Sequence, residues 1–459
     1  MIHPYQCNGY HIIIDVNSGS IHSVDEVAYD VISRYETETK EAIIKEMLEK
    51  YHDSPDVTEE ELNTLFEDIA SLKEQGKLFS EDPYASAAFD FKNRQSVVKA
   101  LCLHIAHDCN LACEYCFAGE GEYCGGRSLM SFDVGKRALD FLIANSGNRV
   151  NLEVDFFGGE PLMNWDVVKQ LVAYGREQER IHDKTFRFTL TTNGVLLDED
   201  VMEFANREMS NVVLSIDGRK EVHDRFRRFR NGKGSYDLVL PKFLKMAQSR
   251  GQKNYYVRGT YTHLNTDFTN DILHLADLGF REISMEPVVA PPTAEYALTE
   301  EDLPKLMEEY ERLAATMLKR KKEGKEFRFF HYTIDLTGGP CIVKRISGCG
   351  VGTEYLAVTP EGDFYPCHQF VGDDKYIMGN VYDGITNFEI QNEFKMCNVY
   401  ARPKCRDCFA KLYCSGGCAA NAYHTHGSIT ETYDLGCELH KKRVECAIML
   451  KVAEMDALD

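Results

Sequence analysis

The sequence predicts an α/β protein built on a complete or partial β/α barrel, with a small α+β unit before it and a cysteine-rich unit after it. Three observations lead there. Short β-rich runs alternate with helical ones from about residue 98 to 330, residues 1–82 carry a hairpin-and-helix pattern of their own, and beyond 330 Gly and Cys rise while hydrophobic periodicity fades.

Residues 1–82 open with apolar "YHIIIDV", a turn at 17–20 and a strand-like "IHSV". A first helix starts in the acidic "DEVAYDVI" and continues through "ETKEAIIKEMLEKY". A second runs through "TEEELNTLFEDIASLKEQGKL", with Thr58 as N-cap, Glu61 three positions on and Gly76 as its stop. "FSEDPYASAAFDFKNRQS" is polar and weakly patterned, so residues 83–97 read as a linker. In residues 98–330 strands are expected in "VVKALCLHI", "NLEVDFF", "TFRFTLTT", "NVVLSID", "YYVRGTYT" and "EISMEPVV". Helices are expected in "DVGKRALDFLIANS", "WDVVKQLVAYGREQER" and "DLVLPKFLKMAQSR". Such alternation makes a parallel sheet with crossover helices, whose chemistry sits at the carboxyl ends of the strands. The charged helix "TEEDLPKLMEEYERLAATMLKRKKEGKEF" closes this segment with a solvated face. Residues 331–440 then form a unit in which metal replaces a hydrophobic core, and residues 441–459 a C-terminal helix.

Composition bounds the function. At 459 residues with 44% hydrophobic content the chain has room for two or three domains. A formal charge of −21 argues against general binding to nucleic acid or acidic membranes, because phosphate contacts need clustered Lys and Arg. No apolar stretch reaches the ~20 residues of a membrane span. "MIHPYQCNGYHIIIDV" lacks both a basic n-region and a small-residue cleavage site, so the expectation is a soluble cytoplasmic protein. In that reducing compartment 16 cysteines point to metal or cluster ligation rather than disulfides.

Cys109, Cys113 and Cys116 follow the first barrel strand in "HDCNLACEYCFAGE". Their spacing is not that of a zinc finger. A CxxxCxxC loop can wrap three irons of a 4Fe-4S cube and leave the fourth free to bind something else. "FFGGEP" sets Gly158, Gly159 and Glu160 at the end of the second strand, where glycines permit close backbone approach and an anion complements an ammonium. "LSIDG" carries Ser215 and Asp217 at the end of the fourth. Taken singly, these would more often be a turn and a strand-end cap. Their order on successive strands is what carries weight.

Together these motifs resemble the signature of the radical S-adenosylmethionine (SAM) superfamily, down to the aromatic Tyr115 before the last cysteine and "TTNG" at 191–194. The resemblance implies a partial (β/α)6 TIM barrel whose Cys109, Cys113 and Cys116 hold a 4Fe-4S cluster. Its open iron would chelate the SAM amine and carboxylate, and SAM would be cleaved to a 5′-deoxyadenosyl radical. It further implies that Gly158, Gly159 and Glu160 meet the SAM amine, that Ser215 beside Asp217 meets the ribose, and that Arg227 in "HDRFR" or Arg258 in "VRGTYT" takes the carboxylate.

Downstream, Cys349 is followed by twelve residues, Gly362, four residues and Cys367, then by Cys405-x2-Cys408-x5-Cys414-x3-Cys418 and, after a gap, Cys437. This resembles the SPASM domain and implies two auxiliary 4Fe-4S clusters, three clusters in all. Cys405, Cys408, Cys414 and Cys437 would bind the outer one, and Cys349, Cys367 and Cys418 the inner one. Cys341, in "GGPCIVKRISGC", either closes the inner cluster or leaves one iron for a substrate thiolate. Of the remaining cysteines (Cys7, Cys102, Cys124, Cys397, Cys446), Cys102 and Cys446 read as buried small hydrophobes and Cys124 as a spectator thiol. His104 and His107 read as packing groups.

The N-terminal hairpin and helices resemble a winged-helix-like, PqqD-like leader-peptide recognition element, which adds a peptide strand at a sheet edge, here near Ile21–Val24 beside the helix at 59–74. The whole resembles the maturases of Cys-rich "six cysteines in forty-five" (SCIFF) peptides, which form thioether bonds. Its implied partners are a Cys-rich precursor peptide with a leader and an electron donor of flavodoxin or ferredoxin type. Two alternatives stay open: another SPASM peptide oxidase, such as a formylglycine-forming anaerobic sulfatase maturase, and a non-catalytic iron-sulfur protein.

Overall fold

The computed structural model describes residues 1–86, 91, 93, 95, 97–123 and 125–456. Much of the expected linker, and Cys124, lie outside the described residues.

The N-terminal unit is an antiparallel sheet of β1 (Ile2–Cys7), β2 (Tyr10–Asp15) and β3 (Ile21–Val24), followed by α1 (Glu26–Arg34), α2 (Lys40–Lys50) and α3 (Glu59–Glu74). The sequence reading lacks β1, although its signal is present. Asn8 and Gly9 form a tight hairpin turn with φ of 48° and 86°, the chemistry an Asn-Gly pair supplies. The expected first helix is two, because Thr39 caps a new start by accepting from Ala42 N at 3.3 Å. Thr58 accepts from Glu61 N at 3.2 Å, as expected. Alternation along β2 sends Ile13 into a small core with Val31, Ile43, Leu62 and Phe66, and Ile12 and Ile14 into the main core. His3 and Tyr5 of β1 bind Glu445 of the C-terminal helix at 2.9 and 3.0 Å.

The barrel runs β4 (Ala100–His107), a short β5 (Ser128–Leu129), α4 (Phe132–Asn145), β6 (Asn151–Gly158), α5 (Trp165–His182), β7 (Thr185–Thr192), α6 (Glu199–Glu208) and β8 (Asn211–Ser215). It continues with α7 (Lys220–Phe226), α8 (Tyr236–Ser249), β9 (Asn254–Tyr261), α9 (Thr269–Asp277), β10 (Glu282–Pro287), α10 (Leu303–Lys322) and β11 (Arg328–Phe329). Strands β4 and β6 to β10 pair in parallel in chain order, the expected partial (β/α)6 barrel. Helices α6, α7 and α9 are absent from the sequence reading; at 10, 7 and 9 residues they are too short for a clear apolar period.

Period-2 alternation sorts the sheet into two faces. Leu101, Leu103, Val154, Phe156, Phe188, Leu214, Val257 and Ile283 are fully buried in the core under the helices. Cys102, His104, Asp155, Phe157, Ser215, Arg258, Ser284 and Glu286 fall on the opposite, inner face.

The cysteine-rich unit is not a separate body hung on metal. Helix α11 (Ile342–Ser347) leads to β12 (Tyr355–Val358), which pairs in parallel with the free side of β4, Leu356 opposite Leu101. Antiparallel β13 (Asp363–Tyr365), β14 (Gly379–Asn380) and β15 (Gly384–Ile385) extend the same sheet. Leu356, Val358 and Phe364 belong to the main core, so apolar packing carries part of what the sequence assigns to metal. The C-terminal helix starts at Asp434, ahead of the expected 441, and carries Cys437. Among the described residues no helix is long and apolar enough to cross a membrane.

Phe188 is fully buried, stacked on Phe156 at 5.5 Å and on Phe186 at 5.6 Å, with α5 brought so close at Gly175 that a Cβ there would stand 2.7 Å from the ring. Phe188→Ala is expected to cost about 3–5 kcal/mol. A urea titration of anaerobic protein would show this as a large drop in midpoint, and an unchanged midpoint would contradict the packing.

Candidate functional site

The loop after β4 is held from three sides. Its own turn places Cys116 N on Cys113 O at 3.0 Å. The end of α7 receives it, with Ala112 N donating to Arg228 O at 2.8 Å and Glu114 N to Phe226 O at 3.3 Å. The third side is the Gly-Gly-Glu turn after β6, where Gly159 N donates to Ala106 O at 2.7 Å and Glu160 N to Asp108 O at 2.9 Å. The approach is so close that a Cβ on Gly159 would stand 2.1 Å from Asp108 O, and one on Gly158 2.4 Å from Ala106 O. Gly158 also has φ +116°. Only glycine serves at both positions. Gly121 completes the contact, its missing Cβ leaving room for the Cα of Gly159 and the Cβ of Cys109.

Within this frame the thiols of Cys109, Cys113 and Cys116 lie within one another's fields. Burial lifts the Cys109 thiol to about 12, with the charges of Glu160, Cys113 and Cys116 adding to it. Burial lifts Cys113 to about 11 against the opposing field of Arg227. Thiols held so high stay protonated unless metal displaces the proton. Three thiolates at this spacing can each bind a separate iron of one cluster. Beside Cys109 the amide Nδ2 of Asn110 is buried with no partner among the described residues, a donor for cluster sulfide or a bound ligand. The triad thus fits a cluster.

The other expected site residues separate into two groups. Asp217 is fully buried and occupied: it accepts from Tyr115 Oη at 2.5 Å, Arg227 Nε at 3.0 Å and Thr260 N at 3.0 Å. It therefore ties Tyr115 of the cysteine loop and Arg227 to β9. Arg227 lies 5.5 Å from the Tyr115 ring centre and stands beside the triad. Arg258 does not join it; opposite Ser215 in register, it faces the barrel interior, where its charge reaches Glu286, His331 and His368. Glu160 is fully buried, accepting from Thr192 Oγ1 and Asn193 N at 2.8 Å and from Leu162 N at 3.1 Å. Burial raises its carboxyl to about 7 against those three donors. Asn193 was visible only as part of "TTNG", yet its Nδ2 sits 3.5 Å from Cys109 Sγ and 2.7 Å from Asn110 Oδ1. His104 and His107 pack as expected, 3.0 Å apart and against Tyr123.

The C-terminal cysteines gather in two sets. Cys414 is surrounded by Cys437, Cys405 and Cys408, which add to a burial that lifts its thiol to about 12. Cys367 is buried against Cys418 and Cys349. Cys341 is exposed at the N-cap of α11. A cysteine with no spacing signal, Cys397, lies within reach of both sets: it donates to Ile429 O at 3.0 Å, accepts from Arg402 Nη2 at 3.2 Å and shares its field with Cys349 and Cys405.

Comparison with known proteins agrees with this geometry. Residues 103–279 match the family model of the Radical SAM superfamily, and residues 349–409 that of the SPASM iron-sulfur cluster-binding domain. The chain is 24% identical to a cysteine-type anaerobic sulfatase-maturating enzyme of Clostridium novyi (strain NT), over 68% of this chain and 86% of that protein. It is 22% identical to the radical SAM cyclopropyl synthase TigE of Paramaledivibacter caminithermalis, over 75% of this chain and 72% of that one. Among solved structures, anSMEcpe with bound AdoMet and a Kp18Cys peptide superposes with a TM-score of 0.64 at 20% identity, covering 78% of this chain and 99% of that one. SuiB of Streptococcus suis bound to its precursor peptide SuiA superposes at 0.53 and 16% identity, covering 93% and 96%. The barrel is thus a radical SAM domain, and the sheet extension beside it carries a SPASM domain.

Gly159→Ala tests the frame. The variant is expected to fold but to lose most of the iron held by the Cys109, Cys113, Cys116 set, because the loop must shift to clear the methyl. Iron content and cluster absorbance of a protein whose auxiliary cysteines are replaced by Ala would report this; full loading would contradict it.

Proposed function

We propose that this chain is a cytoplasmic radical SAM maturase that installs intramolecular Cys thioether crosslinks in a ribosomally made, Cys-rich precursor peptide. Its cofactors would be SAM and three 4Fe-4S clusters, with electrons from a flavodoxin- or ferredoxin-type donor. The observation that carries the reading is one sheet that bears a three-thiol site at one strand end, a second thiol set next to the barrel interior, and a short edge strand in a separate N-terminal sheet.

When bound, the cluster on Cys109, Cys113 and Cys116 supplies the electron that cleaves SAM to a hydrogen-abstracting radical. The chain's own residues set the stage. Gly158 and Gly159 bring backbone against the cysteine loop, Tyr115 and Arg227 are fixed by Asp217, and Ser215 ends β8 within the same mouth. Phe117 of the cysteine loop lies 5.5 Å from His368, the residue after Cys367, so the interior joins the triad to the inner auxiliary set. A substrate thiol carried there would need its proton removed, since a neutral thiol is a poor donor.

Strand β3 pairs with β2 on one side, and among the described residues no strand pairs with its other edge. A leader adding a strand there would raise the effective concentration of the core peptide at the barrel mouth, so that weak local recognition of several Cys positions suffices. The solved SuiB–SuiA pair, whose fold extends over 93% of the chain, supports a peptide substrate. The sulfatase-maturating relatives favour a second reading, formylglycine formation on a larger protein.

Anaerobic reconstitution with SAM, reductant and a Cys-rich peptide encoded beside the protein separates the two. Thioether synthesis predicts two-hydrogen losses by intact mass together with one cysteine per loss that resists alkylation after disulfide reduction; losses with every cysteine still alkylated after reduction would overturn it. Cys113→Ala should reduce 5′-deoxyadenosine formation to background, and persistence at the wild-type rate would overturn the assignment of the triad. The leader segment added as a separate peptide should compete with the full precursor, raising its apparent KM far more than it lowers kcat.

A further inference from the structure

The inner face of the barrel holds an excess of positive charge that the proposed chemistry does not use. Arg258 projects from β9 in register with Ser284 of β10, and Glu286 lies on the same face two residues further along. Among the described residues Arg258 has no hydrogen-bond or ion-pair partner, and it is exposed to the interior. Arg443 reaches the same place from the C-terminal helix and is 7% exposed. Its Nε donates to Tyr310 Oη at 2.8 Å and its Nη1 to Glu286 Oε2 at 3.2 Å, while Nη2 of the same planar group is buried with no partner among the described residues. One turn earlier, His440 Nε2 is buried and unpartnered as well. His331 Nε2 stands 3.0 Å from Ser284 Oγ and 3.4 Å from Glu286 Oε1.

The charges do not balance. Burial holds His331 down at about 3 and His440 at about 4, so both imidazoles are neutral at pH 7. Burial would push the Glu286 carboxyl up, but the charges of Arg443 and Arg258 oppose it, with Arg443 Nη1 donating to it at 3.2 Å, and leave it ionised. Asp155, also on the inner face, is bonded by Thr189 and lies beside Glu153; like Arg258 and Glu286 it acts on Tyr256, but among the described residues it pairs with neither arginine. Among the described residues Glu286 is therefore the carboxylate that this pair of guanidiniums meets, bonded to Arg443, and a buried guanidinium edge without an acceptor is costly unless a ligand supplies one.

We propose that Arg258, Arg443 and His440 form a carboxylate-binding subsite that seats an Asp or Glu side chain of the substrate peptide inside the barrel. A guanidinium fork matches a carboxylate bidentately, which a neutral amide of the same shape does not. The position is informative. The charge of Arg258 reaches His368, which follows Cys367 and whose ring lies 5.5 Å from Phe117 of the cysteine loop, so an acidic residue held here would lie on the interior side that both thiol sets adjoin. The subsite would select which stretch of a Cys-rich peptide is presented. The inference rests on the reading that the substrate is a peptide, but not on which bond is made.

The test is binding without turnover. Reconstituted enzyme with SAM and no reductant is titrated into fluorescein-labelled, Cys-containing decapeptides scanned with Asp, Asn or Ala at each other position, and read by anisotropy. At the best position wild-type enzyme should prefer Asp over Asn by about tenfold. Arg258→Gln should bring that preference within about twofold while iron content, melting temperature and SAM affinity stay unchanged. Arg443→Gln should do the same; where it fails to fold, Arg258→Gln decides. Equal binding of Asp and Asn peptides by wild type, or a preference retained in Arg258→Gln, overturns the subsite. Loss of SAM binding in Arg258→Gln also overturns it, by assigning that arginine to SAM. Because no bond is formed, failure of thioether synthesis leaves this result standing, and equal binding beside successful synthesis sinks the subsite alone.

Discussion

The contact between two stretches of bare backbone, Gly158 to Glu160 and Ala106 to Asp108, governs the rest of the molecule. Parallel pairing of β4 with β6 brings the two strand ends side by side, and the absence of side chains on two consecutive residues lets them touch. The cysteine loop must then leave β4 over the Gly-Gly turn rather than past it. Everything placed by that loop inherits its position from this contact: the three thiols, Tyr115 against Asp217, and Phe117 against the His368 side of the interior. A methyl group at either glycine is therefore a change in the site, not in the strand.

The sheet carries this constraint beyond the barrel. Since β12 continues the same sheet on the other side of β4, the strand that presents the triad is also the strand that positions the cysteine-rich unit. Cys102 of β4 stands opposite Ala357 of β12 and is buried within the field of Cys367, just past β13. An auxiliary domain that packed through side chains alone could drift by an ångström with little cost. One hydrogen-bonded into the ladder cannot, and transfer between redox or thiol groups depends on such fixed spacing.

Much of this was legible in the sequence because the decisive features are local. Residue-for-residue agreement holds for "TFRFTLTT", whose alternation is strict, and Thr58 with Glu61 marked its helix start. Long-range features escaped. No local pattern says that Asp217 is spent on Tyr115 and Arg227, that Arg258 turns away from the triad, or that Cys397 lies within reach of both C-terminal cysteine sets. The break between α1 and α2 was missed for the opposite reason: the apolar period runs through it, and only the Thr39 cap reveals it. Spacing identifies ligands; it does not tell which charged groups neutralise one another.

The central claim is that three thiols, and no fourth side chain, hold an iron-sulfur cluster whose remaining iron accepts SAM. Electron-nuclear double resonance on the reduced protein with SAM labelled by 15N at the amine and 17O at the carboxylate tests it most directly, using a variant whose auxiliary cysteines are replaced by Ala. The account predicts couplings from both labels to the cluster spin, lost when Cys113 is replaced. A fully loaded cluster that shows neither coupling, or one whose fourth iron is coupled instead to a protein nitrogen, would contradict it.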